Sequence, residues 1–168
     1  MKDNRGFTLI ELIVVMVIMG IIAIGSMVGY NMLGSGSAQS TAQRISSMLD
    51  YVQLENMTKN KTYIMAINQN NVGNYIISVE EESSPNNIVI SQEKLELKNG
   101  EITFRYSGEL TENLVSFNPV VRLEVSFDKS TGGFKQISGK TIAKIGLSAS
   151  GRSYSILLVE VTGKHYIE

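Results

Sequence analysis

Hydrophobic and polar positions divide the chain into two regimes. No charged residue stands between Leu12 and Gln43, and residues 12–33 read LIVVMVIMGIIAIGSMVGYNML, 22 mostly apolar positions. As an α-helix rising ~1.5 Å per residue this run spans ~33 Å, about the thickness of a bilayer core, which predicts a membrane-crossing helix. Its length, and a polar exit at Tyr30-Asn31 into Gly34-Ser35-Gly36-Ser37, favour a retained anchor over a cleaved secretory signal. Gly20, Gly25, Gly29, Gly34 and Gly36 punctuate it. They fit either a stretch that unwinds when subunits pack or close helix packing through small residues. From Ala38 the pattern becomes amphipathic. Ala38, Ala42, Ile45, Leu49 and Val52, joined by Met48, recur at helical spacing with Arg44, Asp50 and Glu55 elsewhere around the helix. The helix is expected to end near Asn60.

After Lys61 the period changes to two. Short strands are predicted at residues 63–67, 75–79, 88–90, 102–106, 121–127, 141–147, 154–161 and 164–167, with Gly132-Gly133 and Thr162-Gly163 as the clearest hairpin turns. No repeat or low-complexity linker divides them. The fold class predicted is α+β, a long N-terminal helix with a membrane-spanning first half and an amphipathic second half, packed on a mostly antiparallel β-sheet head. About 130 residues beyond Gly36 are enough to enclose one core. One helix laid on one sheet is the expected layering. The domains read as a leader at 1–6, a transmembrane and filament-core helix at 7–36, and an amphipathic helix plus β-rich head at 37–168.

Composition removes several function classes. The 168 residues include 15 Lys plus Arg, 16 Asp plus Glu and one His, a net charge of -1, so nothing in the whole-chain charge calls for a polyanionic partner. With no Cys, disulfide frameworks, Cys-ligated zinc, iron-sulfur clusters and thiol catalysis are excluded, and a lone His165 builds no polyhistidine metal site. Locally the balance is uneven. Residues 80–128 hold ten acids and four bases, or -6, and residues 129–168 six bases and two acids, or +4. Pairing between acidic and basic strands is one reading. A DNA-contacting face built from Lys140, Lys144, Arg152 and Lys164 is the other.

At the mouth of the apolar run stands Glu11, a carboxylate where intramembrane acids are costly. It reads either as an interfacial residue that favours the helix N-terminus or as a group with an assigned partner. The residues around it, Arg5-Gly6-Phe7-Thr8-Leu9-Ile10-Glu11-Leu12, resemble the type III signal of type IV pilins and type II secretion pseudopilins. The resemblance runs over residues 5–23. It implies that a prepilin peptidase cuts after Gly6, that Phe7 becomes the N-methylated first residue, and that Glu11 is needed for assembly. Gly20 also stands where that family commonly has a small residue. The helix-kinking proline of many major pilins is absent, with Val28 in its place, which tilts the resemblance toward pseudopilins and minor pilins. The stretch SILLVEVTGK at residues 155–164 is similar to the ending of GspH/FimT-like minor subunits. Gly163-Lys164-His165-Tyr166 departs from the Gly-Arg-x-Arg-like end of some DNA-binding minor pilins.

The physics of the motif is consistent with that implication. A charged amine on Phe7 lies ~6 Å along the axis from Glu11, and in a packed bundle the Glu11 of an incoming subunit could neutralise a neighbour's amine in low dielectric. Lys2, Asp3 and Arg5 give the leader a net +1, which favours a cytoplasmic N-terminus with the head outside a bacterial cytoplasmic membrane.

No catalytic constellation is evident. Gly-x-Ser-x-Gly is absent, residues 148–151 read as a turn, Glu80-Glu81-Glu82 reads as a solvated acidic loop, and residues 128–133 lack the ligand spacing of a calcium loop and read as a hairpin turn. No enzyme activity and no cofactor are expected. The expected partners are the membrane, prepilin peptidase and other pilins or pseudopilins of one filament. The expected function is a pilin-like structural subunit of a type II secretion pseudopilus or type IV pilus. A DNA-binding minor pilin of an uptake pilus is the alternative.

Overall fold

The computed structural model describes the backbone of residues 9–97, 99–108, 114–137 and 139–168, with side chains described throughout these except at 20–36. Among the described residues the elements are one helix and ten strands: α1 (Leu9–Thr58), β1 (Tyr63–Gln69), β2 (Tyr75–Glu81), β3 (Ile88–Leu95), β4 (Gly100–Tyr106), β5 (Val115–Ser116), β6 (Arg122–Phe127), β7 (Phe134–Lys135), β8 (Ile142–Ala149), β9 (Arg152–Leu158) and β10 (His165–Ile167). The chain divides into two compact units, Met1–Leu33 and Gly34–Glu168.

In the second unit the strands form two antiparallel five-stranded sheets rather than the single sheet expected. Sheet A has the order β3-β2-β1-β6-β7 and sheet B the order β10-β9-β8-β4-β5. The reason lies in the apolar alternation. Met65, Ile67, Ile77, Val79, Leu123 and Phe127 form one buried face on sheet A, and Ile102, Phe104, Ile145, Leu147 and Ile156 another on sheet B. Both faces belong to one core, which two layers enclose and a single ten-stranded sheet would leave half exposed. Gly100 opens β4 close against β8, where a Cβ would clash with Ser148 O and lie 2.8 Å from Ala149 Cβ. The Tyr75 hydroxyl of sheet A accepts the Ile102 N–H of sheet B at 3.1 Å, and Phe117 packs against the rings of both Tyr75 and Phe104.

The second half of α1 joins this core. Ala38, Ala42, Ile45, Leu49 and Val52 are fully buried on one stripe, each large aliphatic chain contributing about 1.5–3 kcal/mol by leaving water. The stripe continues into Asn56, a buried polar residue that acts as a pin. Its Nδ2 donates to Tyr63 O at 2.8 Å while its Oδ1 accepts the Tyr63 N–H at 2.7 Å, and Ser126 Oγ donates to the same carbonyl at 2.8 Å. The helix end is thereby fixed to the first residue of β1. Further back, Thr41 Oγ1 donates to Glu96 O and Arg44 pairs with Glu93, which ties α1 to the β3 side.

Two further expectations are corrected. Glu80 and Glu81 are not in a solvated loop but end β2, and Glu80 is buried. Arg122 of β6 reaches across β1 to Glu80 at 2.5 Å and also holds Glu124 at 2.9 Å. Burial pushes the Glu80 carboxyl up, but hydrogen bonds from Arg122 and Ser78, the Arg122 charge and Asn87 together bring it below its ordinary value. Strand β3 extends to Leu95 through Ser91-Gln92-Glu93-Lys94 because it is an edge strand wet on both faces, so its polar half shows no alternation. The two-residue strands β5 and β7 are too short for any periodic signal.

Removing the Asn56 pin leaves the Tyr63 N–H buried without its acceptor. Asn56→Ala should cost about 1–3 kcal/mol, read as a lower urea midpoint at unchanged slope, and an unchanged midpoint would show that the pin contributes nothing. At the β6–β7 turn, Asp128 Oδ1 accepts from Ser130 Oγ at 2.5 Å and from the N–H groups of Ser130 and Thr131 at 2.9 Å. These bonds, the Ser130 hydroxyl first, hold its carboxyl down to about 2 from 3.8. A carboxyl depressed in the folded state stabilises above its unfolded value and loses that contribution as pH falls through the folded one. The gap in melting temperature between the native chain and Asp128→Ala should therefore be full above about pH 4 and close toward pH 2.

Candidate assembly site

In the first unit the described side chains are those of residues 9–19. All ten apolar residues there are exposed, from Leu9 at 79% and Ile10 at 71% to Met19 at 68%. A helix apolar all round with nothing covering it requires a lipid or protein environment. The backbone stays helical through Gly20, Gly25 and Gly29, because α1 runs unbroken from Leu9 to Thr58 and the chain holds no proline before Pro85. Glu11 is helical, the third described residue of α1. Gly6 and Phe7 lie outside the described residues, as do the side chains of most of the apolar run 12–33. Among the described residues no helix is long and apolar enough to cross a membrane.

The four basic residues suggested as a DNA face are dispersed. Lys140 stacks on the Tyr106 ring at 4.6 Å from its centroid. Lys144 lies in β8, beside Arg105 of β4. Arg152 begins β9 at the β8–β9 turn, while Lys164 follows the other end of β9, where its carbonyl accepts the Val159 N–H. With seven residues of strand between those ends, Arg152 and Lys164 are ~20 Å or more apart along the sheet.

His165 occupies a position that sequence spacing did not reveal. The side chain is 5% exposed, with Nε2 at 3.1 Å from Ser46 O and 3.5 Å from Asp50 Oδ1, so β10 is fastened to α1. Ser46 takes part through its carbonyl rather than its hydroxyl. Among the described residues no group of His, Asp and Glu could hold a metal ion.

The Gly132-Gly133 and Thr162-Gly163 turns are both present, and they meet. Gln53 Nε2 of α1 donates to Gly132 O at 2.7 Å, and the Phe134 N–H donates to Glu160 O at 2.8 Å. Gly163 has φ +66°, and a Cβ on it would lie 2.0 Å from Gly132 O. The two sheets are stitched together there under the end of the helix. Each turn was legible, but their contact was not. Gly163→Ala should lower the melting temperature by several degrees through strained φ and clash together, and an unchanged transition would show that the turns separate freely.

These features define a class: a β-rich head unit whose chain continues N-terminally into a helix whose described apolar side chains, those of residues 9–19, are exposed. Residues 1–27 match the prokaryotic N-terminal methylation motif, so the chain carries the signal of type IV pilins and pseudopilins, which marks prepilin peptidase cleavage and methylation of the new terminus. No curated protein and no solved structure matches it.

Proposed function

We propose that the chain is a minor pseudopilin or minor pilin, a structural subunit that prepilin peptidase processes and that enters a type II secretion pseudopilus or type IV pilus. The observation that carries this reading is the methylation motif at residues 1–27, which runs into a helix whose described apolar residues, 9–19, are exposed and whose sole charge between Leu9 and Gln43 is Glu11. In this reading residues 1–6 are the leader, 7–36 the transmembrane and filament-core helix, and 37–168 the amphipathic helix with its head. The N-terminus stays in the cytoplasm and the head lies outside the cytoplasmic membrane.

The peptidase cuts between Gly6 and Phe7, and Phe7 receives the methyl group. Glu11 then pairs with the terminal amine of a neighbouring subunit, where a wrong register would leave the carboxylate unpaired in low dielectric. The absence of proline at Val28 and the strand–turn–strand ending over β9 and β10 support the minor-subunit reading. The dispersal of Lys140, Lys144, Arg152 and Lys164 gives no support to the DNA-uptake alternative.

Intact-mass analysis of membrane fractions should find a chain beginning at Phe7 with one added methyl group. Recovery only of chains that retain residues 1–6, in cells with active prepilin peptidase, would refute the processing. Glu11→Gln keeps the shape and removes the charge. It should insert into the membrane normally yet cross-link to partner pilins at least about tenfold less, since breaking a buried charge pair is strongly unfavourable. Native cross-linking by the variant would identify Glu11 as an interfacial residue only.

A further inference from the structure

Strand β3 closes one side of sheet A, and among the described residues nothing pairs with its outer edge. It is the longest of the four strands that end a sheet. Strands β5 and β7 have two residues each and β10 three, whereas β3 runs for eight, from Ile88 to Leu95. An edge of that length presents a row of backbone N–H and C=O groups able to pair with another strand.

Chemistry divides the strand in two. Its second half carries Glu93 and Lys94, charged side chains of the kind that blunt an edge, and Glu93 is held by Arg44 of α1. The first half has no such guard. Ile88 and Val89 are each 52% exposed and Ile90 49%, three apolar side chains in succession beside an open backbone. A strand with one buried face alternates instead. A break in register accompanies the difference. Val79 and Glu80 are neighbours on β2, yet they stand opposite Ser91 and Val89, so Ile90 is an extra residue with no β2 residue opposite it. Such a bulge re-aims side chains locally, and this one lies within the apolar run.

The run fits itself. Laid antiparallel against a second copy with Val89 facing Val89, Ile88 meets Ile90 on both sides of the dyad and Asn87 meets Ser91. Apolar residues then face only apolar ones, and no charge opposes a like charge. A dyad at Ser91 would instead set Val89 against Glu93 and Ile88 against Lys94. One at Ile90 would set Ile88 against Gln92. This self-complementarity is what a two-fold interface between identical subunits requires.

We infer that two copies of the chain pair through β3, antiparallel about a dyad at Val89, so that their A sheets become continuous. The pairing uses neither Glu11 nor the leader, so it and the proposed function can each fail without the other. A single strand pair is a small interface, so irreversible trapping reads it better than co-elution.

The chain has no cysteine, which makes a thiol placed at Val89 the sole one present. Across the dyad the two Cα atoms would be ~4.5–5.5 Å apart, a span that a disulfide bridges. The test oxidises the full chain in a zwitterionic detergent with copper–phenanthroline in air. Val89→Cys should form disulfide dimers about tenfold faster or more than Val72→Cys, a control 82% exposed before β2. Ile88→Cys mixed with Ile90→Cys should cross-link faster than either alone. Adding Ile90→Lys should slow the Val89 thiol to the control rate at an unchanged melting temperature, because it sets a charge against Ile88 across the dyad. Equal rates at positions 89 and 72, mixed chains no faster than separate ones, or a Val89 thiol that Ile90→Lys leaves fast would each overturn the proposal. So would a Val89 thiol in host membranes that is trapped on a different protein and yields no homodimer, since the edge would then serve another partner.

Discussion

The apolar stripe of α1 from Ala38 to Val52 closes a core that two sheets leave open, and most of the head depends on that closure. Sheet A and sheet B each contribute one buried face, and Ala42, Ile45, Leu49 and Val52 of the stripe belong to the same cluster. Polar contacts set its position from several sides: Glu96 O and Glu93 on the β3 side, Ser46 O to His165 on the β10 side, and Gln53 to Gly132 where the turns meet. Hydrophobic burial is non-directional and supplies most of the driving force. The directional bonds select one register of helix on sheets among the many that would bury similar area.

Asn56 shows why the selection is strict. An amide side chain that both donates to and accepts from one residue's backbone mimics a strand neighbour, so the helix end extends the hydrogen bonding of β1 into the layer above it. A shift of α1 by one residue would bury that amide without partners. The cost of an unsatisfied buried polar group then penalises each misplaced arrangement.

Among the described residues, three consecutive acids are held by bases from different parts of the chain. Glu80 pairs with Arg122, Glu81 with Lys61 and Glu82 with Lys135, so a basic residue from beyond position 128 takes part in only the last of these. The exposed pairs contribute little, whereas Glu80 is buried, and its hydrogen bonds and the Arg122 charge hold its carboxyl below the ordinary value against the opposing effect of burial. The basic residues of the C-terminal stretch lie in turns and on strands, with Arg152 and Lys164 toward opposite ends of β9.

Local pattern determined the helix, the eight longer strands and the turns at Gly132-Gly133 and Thr162-Gly163, because each is encoded within a few residues by spacing, chain freedom or alternation. The signal around Gly6, Phe7 and Glu11 was legible for the same reason, being a contiguous string of residue types beside an uncharged run. Tertiary structure alone decided that the strands divide between two sheets, that Glu80 is buried, that His165 reaches α1, and that two glycine turns interlock. Each of these joins residues far apart in the chain, up to 119 positions for His165 and Ser46. Nothing in the local spacing of either partner specifies such a pairing; it follows from which arrangement buries the apolar faces while leaving the fewest polar groups unsatisfied.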